Sequence, residues 1–165
     1  KKNFINLKNN FKSKKIIIKN NYFKEKKKKF DTILYLDVLE HITNDQAELT
    51  NAYKTLKKNG HLIINVPAFS HLFSDFDKDV NHVRRYNKES IMSLTKNFNY
   101  KYIKMTYYDS LGYIFSLISK LFIREYKKNF PEKIKFWDYL IPLSKSIDFA
   151  TFNLLGKSLL VIIKK

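Results

Sequence analysis

Two carboxylates and an imidazole stand close together where an apolar segment of this sequence ends. Asp37, Glu40 and His41 follow residues 33–36 at spacings of i, i+3 and i+4, within the stretch ILYLDVLEHI. Side chains of these types can transfer protons near neutral pH and can bind divalent metal ions. The stretch therefore predicts a buried strand that ends in a turn able to do chemistry.

Three roles remain open for this turn. In the first, Glu40 caps the backbone and His41 hydrogen-bonds to a neighbouring loop, so that both are structural. In the second, Glu40 and His41 are catalytic, and His41 is a general base toward a substrate hydroxyl, because an imidazole titrates near the working pH. In the third, Asp37, Glu40 and His41 line one face and bind a divalent metal ion.

A second group of side chains that could bind a substrate lies in residues 67–87, PAFSHLFSDFDKDVNHVRRYN. A loop of this length inside a compact domain is usually functional. Its two arginines beside a histidine could clamp a carboxylate or phosphate of a substrate. Alternatively, they pair with Asp75, Asp77 or Asp79 and hold the loop shut. The candidates for substrate binding are His71, His82, Arg84, Arg85 and Tyr86.

The segments before and between these groups alternate between strand and helix. Residues 30–36 form an apolar run without alternation, which predicts a strand covered on both faces. Residues 43–60 predict a helix with a capping box at Thr43 and Gln46, ending at Gly60. Residues 61–67 predict the next strand. Strand, helix and strand at this spacing indicate a βαβ unit and an α/β fold with parallel strands.

The rest of the chain predicts further elements of the same domain. Asn87 is the expected N-cap of a helix, and the alternating residues 100–108 predict a strand. Pro131 and Pro142 are expected to break the helices. The predicted helices and strands outside the βαβ unit are helices at 1–12, 88–98, 111–128 and 132–153 and strands at 14–19 and 157–165. The chain is interpreted as one partial domain with a sheet core (1–110), a helical, aromatic-rich insertion (111–156) and a final strand (157–165).

The basic charge of the chain does not by itself indicate a nucleic-acid partner. The formal net charge is +17, yet arginine occurs only at Arg84, Arg85 and Arg124 among the 32 basic residues. Specific readers of nucleic acid rely on arginine for bidentate contacts. We therefore expect no specific nucleic-acid binding and only a weak attraction to anionic surfaces. The absence of cysteine excludes disulfides, thiolate catalysis and cysteine-based zinc sites.

The sequence predicts a cytoplasmic protein. Its first residues lack a signal-peptide pattern, and no apolar run approaches the roughly 20 residues of a membrane-spanning helix. The aromatic, lysine-flanked helices at 111–153 could still rest on a membrane surface. Because the sequence does not begin with Met, we expect a fragment.

Three stretches resemble a known family. Residues 30–68, FDTILYLDVLEHITNDQAELTNAYKTLKKNGHLIINVPA, resemble the second half of a class I S-adenosylmethionine (SAM)-dependent methyltransferase. HLFSDFDKDVNHVRRYN (71–87) and GKSLLVIIKK (156–165) resemble a loop and the last strand of one branch. The resemblance implies a Rossmann-like, doubly wound fold, truncated at its N-terminus, with a mostly parallel sheet and an antiparallel C-terminal strand. It implies methyl transfer, most simply to an oxygen of a small molecule, a sugar or a lipid-linked acceptor.

The sequence departs from this family in its glycines. The family holds SAM through a glycine-rich loop after its first strand, whereas this chain has only Gly60, Gly112 and Gly156. The resemblance then implies either that a preceding segment or a partner chain supplies that loop, or that SAM binds poorly. In the alternative interpretation, the chain is a non-catalytic, methyltransferase-like module that binds an acidic or membrane-bound partner.

The resemblance also implies roles for individual residues. The segment KNNYF would lie beside the adenine, and the end of the following strand would pass along the cofactor. In some branches a carboxylate-x-x-Glu-His set with a further histidine holds a metal ion, and His71 or His82 could supply that histidine. The implied cofactor-binding residues are Asn20, Asn21, Tyr35, Leu36 and Asp37. The implied metal set is Asp37, Glu40, His41 and His82.

Overall fold

The computed structural model describes residues 29–122 and 130–165, and it describes no side chains between residues 121 and 139. The predicted helix at 1–12, the predicted strand at 14–19 and the cofactor candidates Asn20 and Asn21 lie outside these residues.

The described residues form one four-stranded sheet in the order β1-β2-β4-β3. β1 is parallel to β2, and β4 is antiparallel to both of its neighbours, β2 and β3. β1, β2 and β3 therefore share one direction and β4 opposes them, which confirms the predicted mostly parallel sheet with an antiparallel C-terminal strand. The strands are β1 (Phe30–Leu36), β2 (Leu56–Pro67), β3 (Tyr102–Tyr108) and β4 (Ser158–Lys164).

Apolar side chains of β2 and β4 form the centre of the core. Leu62, Ile64 and Val66 alternate along β2 and are fully buried, as are Leu159, Val161 and Ile163 along β4. In a strand, alternate residues point to the same face, so one face of the sheet is closed by these rows. The carboxyl ends of β1, β2 and β3 consequently meet at one edge of a rigid platform.

Five α-helices pack around this sheet in the described residues. Asn87 is the N-cap of the third helix, as predicted, because the backbone N–H of Ser90 donates to its Oδ1 at 2.8 Å. None of these helices is long and apolar enough to cross a bilayer. The helices are α1 (Asp45–Thr55), α2 (Asp75–Asp79), α3 (Lys88–Thr95), α4 (Ser110–Phe122) and α5 (Phe130–Ala150).

Two helix predictions were wrong. The helix predicted for residues 43–60 begins after Asn44, whose Oδ1 accepts from the N–H of Ala47 at 3.1 Å, and it ends at Thr55. Leu56 already pairs with Phe30 of β1. Residues 56–60, which were predicted to be the last helical turn, therefore belong to β2. Pro142 does not break α5 but lies within it, since a proline removes only one of the hydrogen bonds of a 21-residue helix.

The prediction that β1 is covered on both faces was also wrong for the described residues. Leu34 and Leu36 are 56% and 54% exposed. β1 is the edge strand of the described sheet, and these two side chains lie on the face opposite Tyr35. The strand end that leads to Asp37 thus presents an open apolar surface.

Gly60 is required where β2 runs beside β1. A Cβ at this position would lie 3.0 Å from the carbonyl oxygens of Asp31 and Lys57. We expect Gly60→Ala to lower the free energy of unfolding by about 1–3 kcal/mol, because backbone atoms would have to move. Urea unfolding measures this loss. Lys58→Ala, at an exposed position of the same strand, is the control and should change stability by less than about 0.5 kcal/mol; equal effects would contradict the steric argument.

Candidate active site

Polar side chains from the ends of three strands form a hydrogen-bonded chain of side chains at the carboxyl edge of the sheet. Asp37 follows β1 in a left-handed conformation (φ 52°), and its Oδ1 accepts from the Asn65 side chain of β2 at 3.0 Å. The Tyr108 hydroxyl, at the end of β3, donates to Asn65 Oδ1 at 2.7 Å. The sequence analysis missed Asn65 and Tyr108, although a polar residue near the end of an apolar strand is a usable signal.

Of the five residues predicted to bind the cofactor, the three that the structure describes differ in exposure. Tyr35 is 6% exposed and its hydroxyl donates to Glu48 Oε1 at 2.6 Å; burial, chiefly, raises the pKa of this phenol. Tyr35 therefore packs on α1. Leu36 and Asp37 are exposed and remain open to a ligand.

Glu40 is the most unusual residue of the site. It lies in a 3-10 turn, Leu39–His41, that follows β1. The residue is fully buried, and neither carboxylate oxygen has a hydrogen-bond partner in the described structure. The His82 imidazole lies beside it, with Nε2 3.7 Å from Glu40 Oε1. Burial raises the pKa of Glu40 above its ordinary value, since a low-dielectric surrounding disfavours the anion.

Two imidazoles face each other beside this carboxylate. The rings of His41 and His82 meet edge to face with centroids 4.8 Å apart. His41 Nδ1 lies 3.0 Å from the carbonyl oxygen of Asn81, and His82 Nδ1 lies 2.9 Å from Asp77 Oδ1. Because these oxygens can only accept, each Nδ1 carries a proton. In the neutral rings, Nε2 is therefore the free basic nitrogen.

A buried ion pair holds the loop that carries His82. Arg85 Nε and Nη2 donate to the two oxygens of Asp77 at 2.9 and 3.0 Å, and Arg85 Nη1 donates to the carbonyl oxygen of Ala68 at 3.3 Å. Burial alone would raise the pKa of Asp77, but hydrogen bonds from Arg85, His82 and the Ser74 backbone outweigh it and lower that pKa. Arg85 thus stabilises the closed conformation of the loop.

Arg84 and Tyr86 make a similar connection to the start of α1. Arg84 Nη1 donates to Asp45 Oδ2 at 2.7 Å, and Nη2 to the carbonyl oxygen of Thr43 at 2.9 Å. The buried Tyr86 hydroxyl donates to Asp45 Oδ2 at 2.9 Å and lies 3.2 Å from the Leu39 carbonyl. Arg84 and Tyr86 were predicted to bind substrate, and in the structure both hydrogen-bond to other residues of the protein.

His71 stands apart from these groups. Its Nε2 lies 3.1 Å from the Tyr113 hydroxyl, and the Lys120 ammonium donates to its carbonyl oxygen at 2.6 Å. The structure therefore brings together Glu40, His41 and His82, and leaves His71 with α4. Of the predicted metal set, these three residues have ligand atoms within 4.8 Å of one another, whereas Asp37 is not part of the cluster.

A cavity of about 250 Å³ opens between the end of β3 and α5. Its walls are mostly apolar, and Asp109, Lys145 and Asp148 are the ionisable residues that line it. Burial, chiefly, raises the pKa of Asp109. Since Tyr108 both lines the cavity and donates to Asn65, the cavity adjoins the polar chain at the strand ends. The lining residues are Tyr108, Asp109, Leu140, Ile141, Ser144, Lys145 and Asp148.

Comparison with known proteins adds to this geometry. A family model described as a methyltransferase domain matches residues 5–105. No curated protein sequence matches the chain significantly. One similar solved structure is a SAM-dependent methyltransferase from Thermotoga maritima, described as a possible histamine N-methyltransferase. Its TM-score is 0.50 at 17% identity, over 88% of this chain and 59% of that chain.

Two further structures match with lower scores. A SAM-dependent methyltransferase from Archaeoglobus fulgidus has a TM-score of 0.48 at 16% identity, over 84% of this chain and 60% of that chain. Phosphoethanolamine N-methyltransferase 2 of Haemonchus contortus, solved with SAM, has a TM-score of 0.47 at 17% identity, over 82% and 33%. The likeness to the Thermotoga structure confirms the predicted Rossmann-like fold, and this chain spans 59% of that structure's length.

The Asp77–Arg85 pair should carry a large share of the stability of the loop. We expect Asp77→Asn to lower the free energy of unfolding at neutral pH by about 3–5 kcal/mol, because it leaves a buried guanidinium uncompensated. Since the folded pKa of Asp77 is lowered, its contribution is present above the unfolded value near 4 and is lost as pH falls below it. Chemical unfolding across that range measures the effect. Asp79→Asn, an exposed carboxylate of α2, is the control; equal losses in both variants would contradict the assignment.

Proposed function

The chain belongs to the methyltransferase-domain family, and on that premise we propose that it transfers the methyl group of SAM to an oxygen of a small-molecule, sugar or lipid-linked acceptor. The observation that carries this proposal is the orientation of His41. Its ring stands at the carboxyl edge of the sheet, where open α/β sheets bind ligands, and its protonated Nδ1 leaves Nε2 as the proton acceptor.

The exposed end of β1 fits one side of the cofactor. Leu36 offers an apolar surface to a nucleoside, and Asp37, held by Asn65, offers a carboxylate oxygen to hydroxyl groups. Asn20 and Asn21 keep their place beside the adenine on the resemblance alone. SAM, when bound, supplies an electrophilic methyl group. The protein has then to hold the acceptor oxygen in line with that group and to exclude water.

On the acceptor side, His41 is proposed as the general base that takes the hydroxyl proton. Its position is set by the Asn81 carbonyl, and the His82 imidazole lies against it. Arg84, Arg85 and Tyr86 support the site indirectly, because their hydrogen bonds within the protein hold this loop in place. The cavity beside Tyr108 has room for a small part of an acceptor.

We expect His41→Ala to slow methyl transfer by about 10²–10⁴-fold, the usual contribution of a positioned base, while SAM affinity changes little. Steady-state kinetics and calorimetric titration of SAM measure the two effects separately. His61→Ala, in the middle of β2 and away from its carboxyl end, is the matched control and should retain activity. Equal loss of rate and SAM affinity would return His41 to a structural role. Failure of SAM to bind the wild-type chain at all would favour the non-catalytic module.

A divalent metal ion is a second candidate for the turn, and the buried Glu40 favours it. Two carboxylate oxygens without partners lie beside two imidazoles whose Nδ1 protons are fixed by acceptors. Such fixation of Nδ1 is the usual arrangement of metal-binding histidines. Glu40, His41 and His82 would supply one oxygen and two nitrogen ligands, a set that suits Mn²⁺ or Zn²⁺.

Chelation separates these two roles. If His41 acts as a free base, treatment with EDTA should leave the rate of methyl transfer within about twofold, and Glu40→Gln should retain activity, because no metal ion is removed. If the three side chains hold a metal ion, EDTA should abolish activity and Mn²⁺ or Zn²⁺ should restore it. His82→Gln should then lose as much activity as His41→Ala. His71→Gln, outside the cluster, is the control for both series.

A further inference from the structure

The turn that follows α5 exposes an apolar tip, which we define as Phe149, Phe152, Leu154 and Leu155. The two phenylalanines are 85% and 84% exposed, and the two leucines 66% and 44%. Single exposed apolar residues are common on protein surfaces, but four within seven residues are not. Their exposure leaves much apolar area in water, where burial against another phase would be favourable.

This tip is ordered by hydrogen bonds from both sides. The N–H of Asn153 donates to the Asp148 carbonyl at 2.8 Å, and its side-chain amide donates to the Tyr107 carbonyl at 3.1 Å. The Ser110 hydroxyl donates to the Leu155 carbonyl at 2.9 Å. A Cβ at Gly156 would overlap the backbone of Tyr108. The turn is therefore fixed against the end of β3.

Holding the tip in this shape strains the backbone. Phe152 has φ 52° and Asn153 has φ 54°. Asparagine tolerates this left-handed region, whereas a bulky aromatic residue rarely occupies it. A strained backbone that displays a phenylalanine to solvent is typical of a site kept for contact rather than for stability.

The exposed charge next to the tip is basic, and the chain as a whole carries a formal net charge of +17, which attracts it to anionic surfaces. Asp148 is buried and accepts from the backbone N–H groups of Asp109 and Ser110 at 2.9 and 2.8 Å. The acid nearest the tip is thus turned inward, while Lys145, one helical turn before Phe149, stands exposed.

We propose that the apolar tip inserts into the headgroup region of an anionic membrane and docks the domain there. Exposed phenylalanines and leucines beside an exposed lysine suit insertion at the interface of an anionic membrane. The bond from Asn153 to Tyr107 places the tip beside the carboxyl end of β3. The membrane would therefore lie on the same edge of the sheet as Asp37. This proposal does not depend on the proposed methyl transfer.

Vesicle flotation tests the proposal. The wild-type protein should float with vesicles of phosphatidylcholine and phosphatidylglycerol, and much less with phosphatidylcholine alone. Phe149→Ser with Phe152→Ser should lower the partition coefficient at least about tenfold. Met92→Ser, an exposed apolar residue of α3, is the matched control and should bind as the wild type does. Phe152→Asn should weaken binding while its melting temperature stays equal or rises, because asparagine relieves the left-handed strain.

Two results would overturn the proposal. One is equal vesicle binding by the wild type and the double serine variant with both folded, as judged by circular dichroism. The other is sedimentation of the vesicle-free wild type as an oligomer that the double serine variant converts to a monomer without change in vesicle binding. In that case a second copy of the chain covers the tip.

Discussion

One buried carboxylate, Asp77, organises the loop on which the candidate site depends. It binds the Arg85 guanidinium through both oxygens, the His82 ring through one, and the backbone N–H of Ser74. A charge this deeply buried is tolerated only when its partners are in place. The loop is consequently restricted to the conformation that satisfies Asp77, and this conformation sets the position of the His82 imidazole.

The same loop is tied to the turn after β1 by backbone contacts. The N–H of Val83 donates to the Glu40 carbonyl at 2.8 Å, and the Asn81 carbonyl faces His41 Nδ1. Turn and loop therefore form one unit, and among the buried side-chain nitrogen and oxygen atoms of the described residues only those of the Glu40 carboxylate lack a hydrogen-bond partner. An unpaired buried carboxylate costs stability. Buried carboxyl groups with raised pKa values are common at functional sites, and this one lies beside the His41 and His82 imidazoles.

The sequence was sufficient to predict features that depend on local patterns. The apolar runs of β1 and β2 and the N-cap at Asn87 follow from residue order, and the turn at Glu40 and His41 was recognised from its side-chain types. The antiparallel direction of the last strand came from the family resemblance. The end of α1 was not predictable, because the pairing of Leu56 with Phe30 is a tertiary contact that overrides helix propensity.

Predictions about partners within the site were also limited for a physical reason. Whether Arg85 binds a substrate or pairs with Asp77 depends on the folded conformation of the loop. The spacing of these residues in the sequence is compatible with both. The Asp37–Asn65–Tyr108 chain joins residues that lie up to 71 positions apart in the sequence (108 − 37). Only the sheet order, which carries Tyr108 across β4 toward β2, brings these side chains together.

The position of β4 has a consequence for how the protein is made. β4 follows all other described strands in the sequence, yet it lies between β2 and β3. During synthesis on the ribosome, β2 and β3 emerge first, with no described strand other than β4 to join them. Until residues 158–164 leave the exit tunnel, the edge of β2 that pairs with β4 stays open. The buried residues Leu62, Ile64 and Val66 then lack their neighbours on β4. The nascent chain is thus prone to aggregate before β4 has been made, and closure of the described sheet is a long-range step of folding.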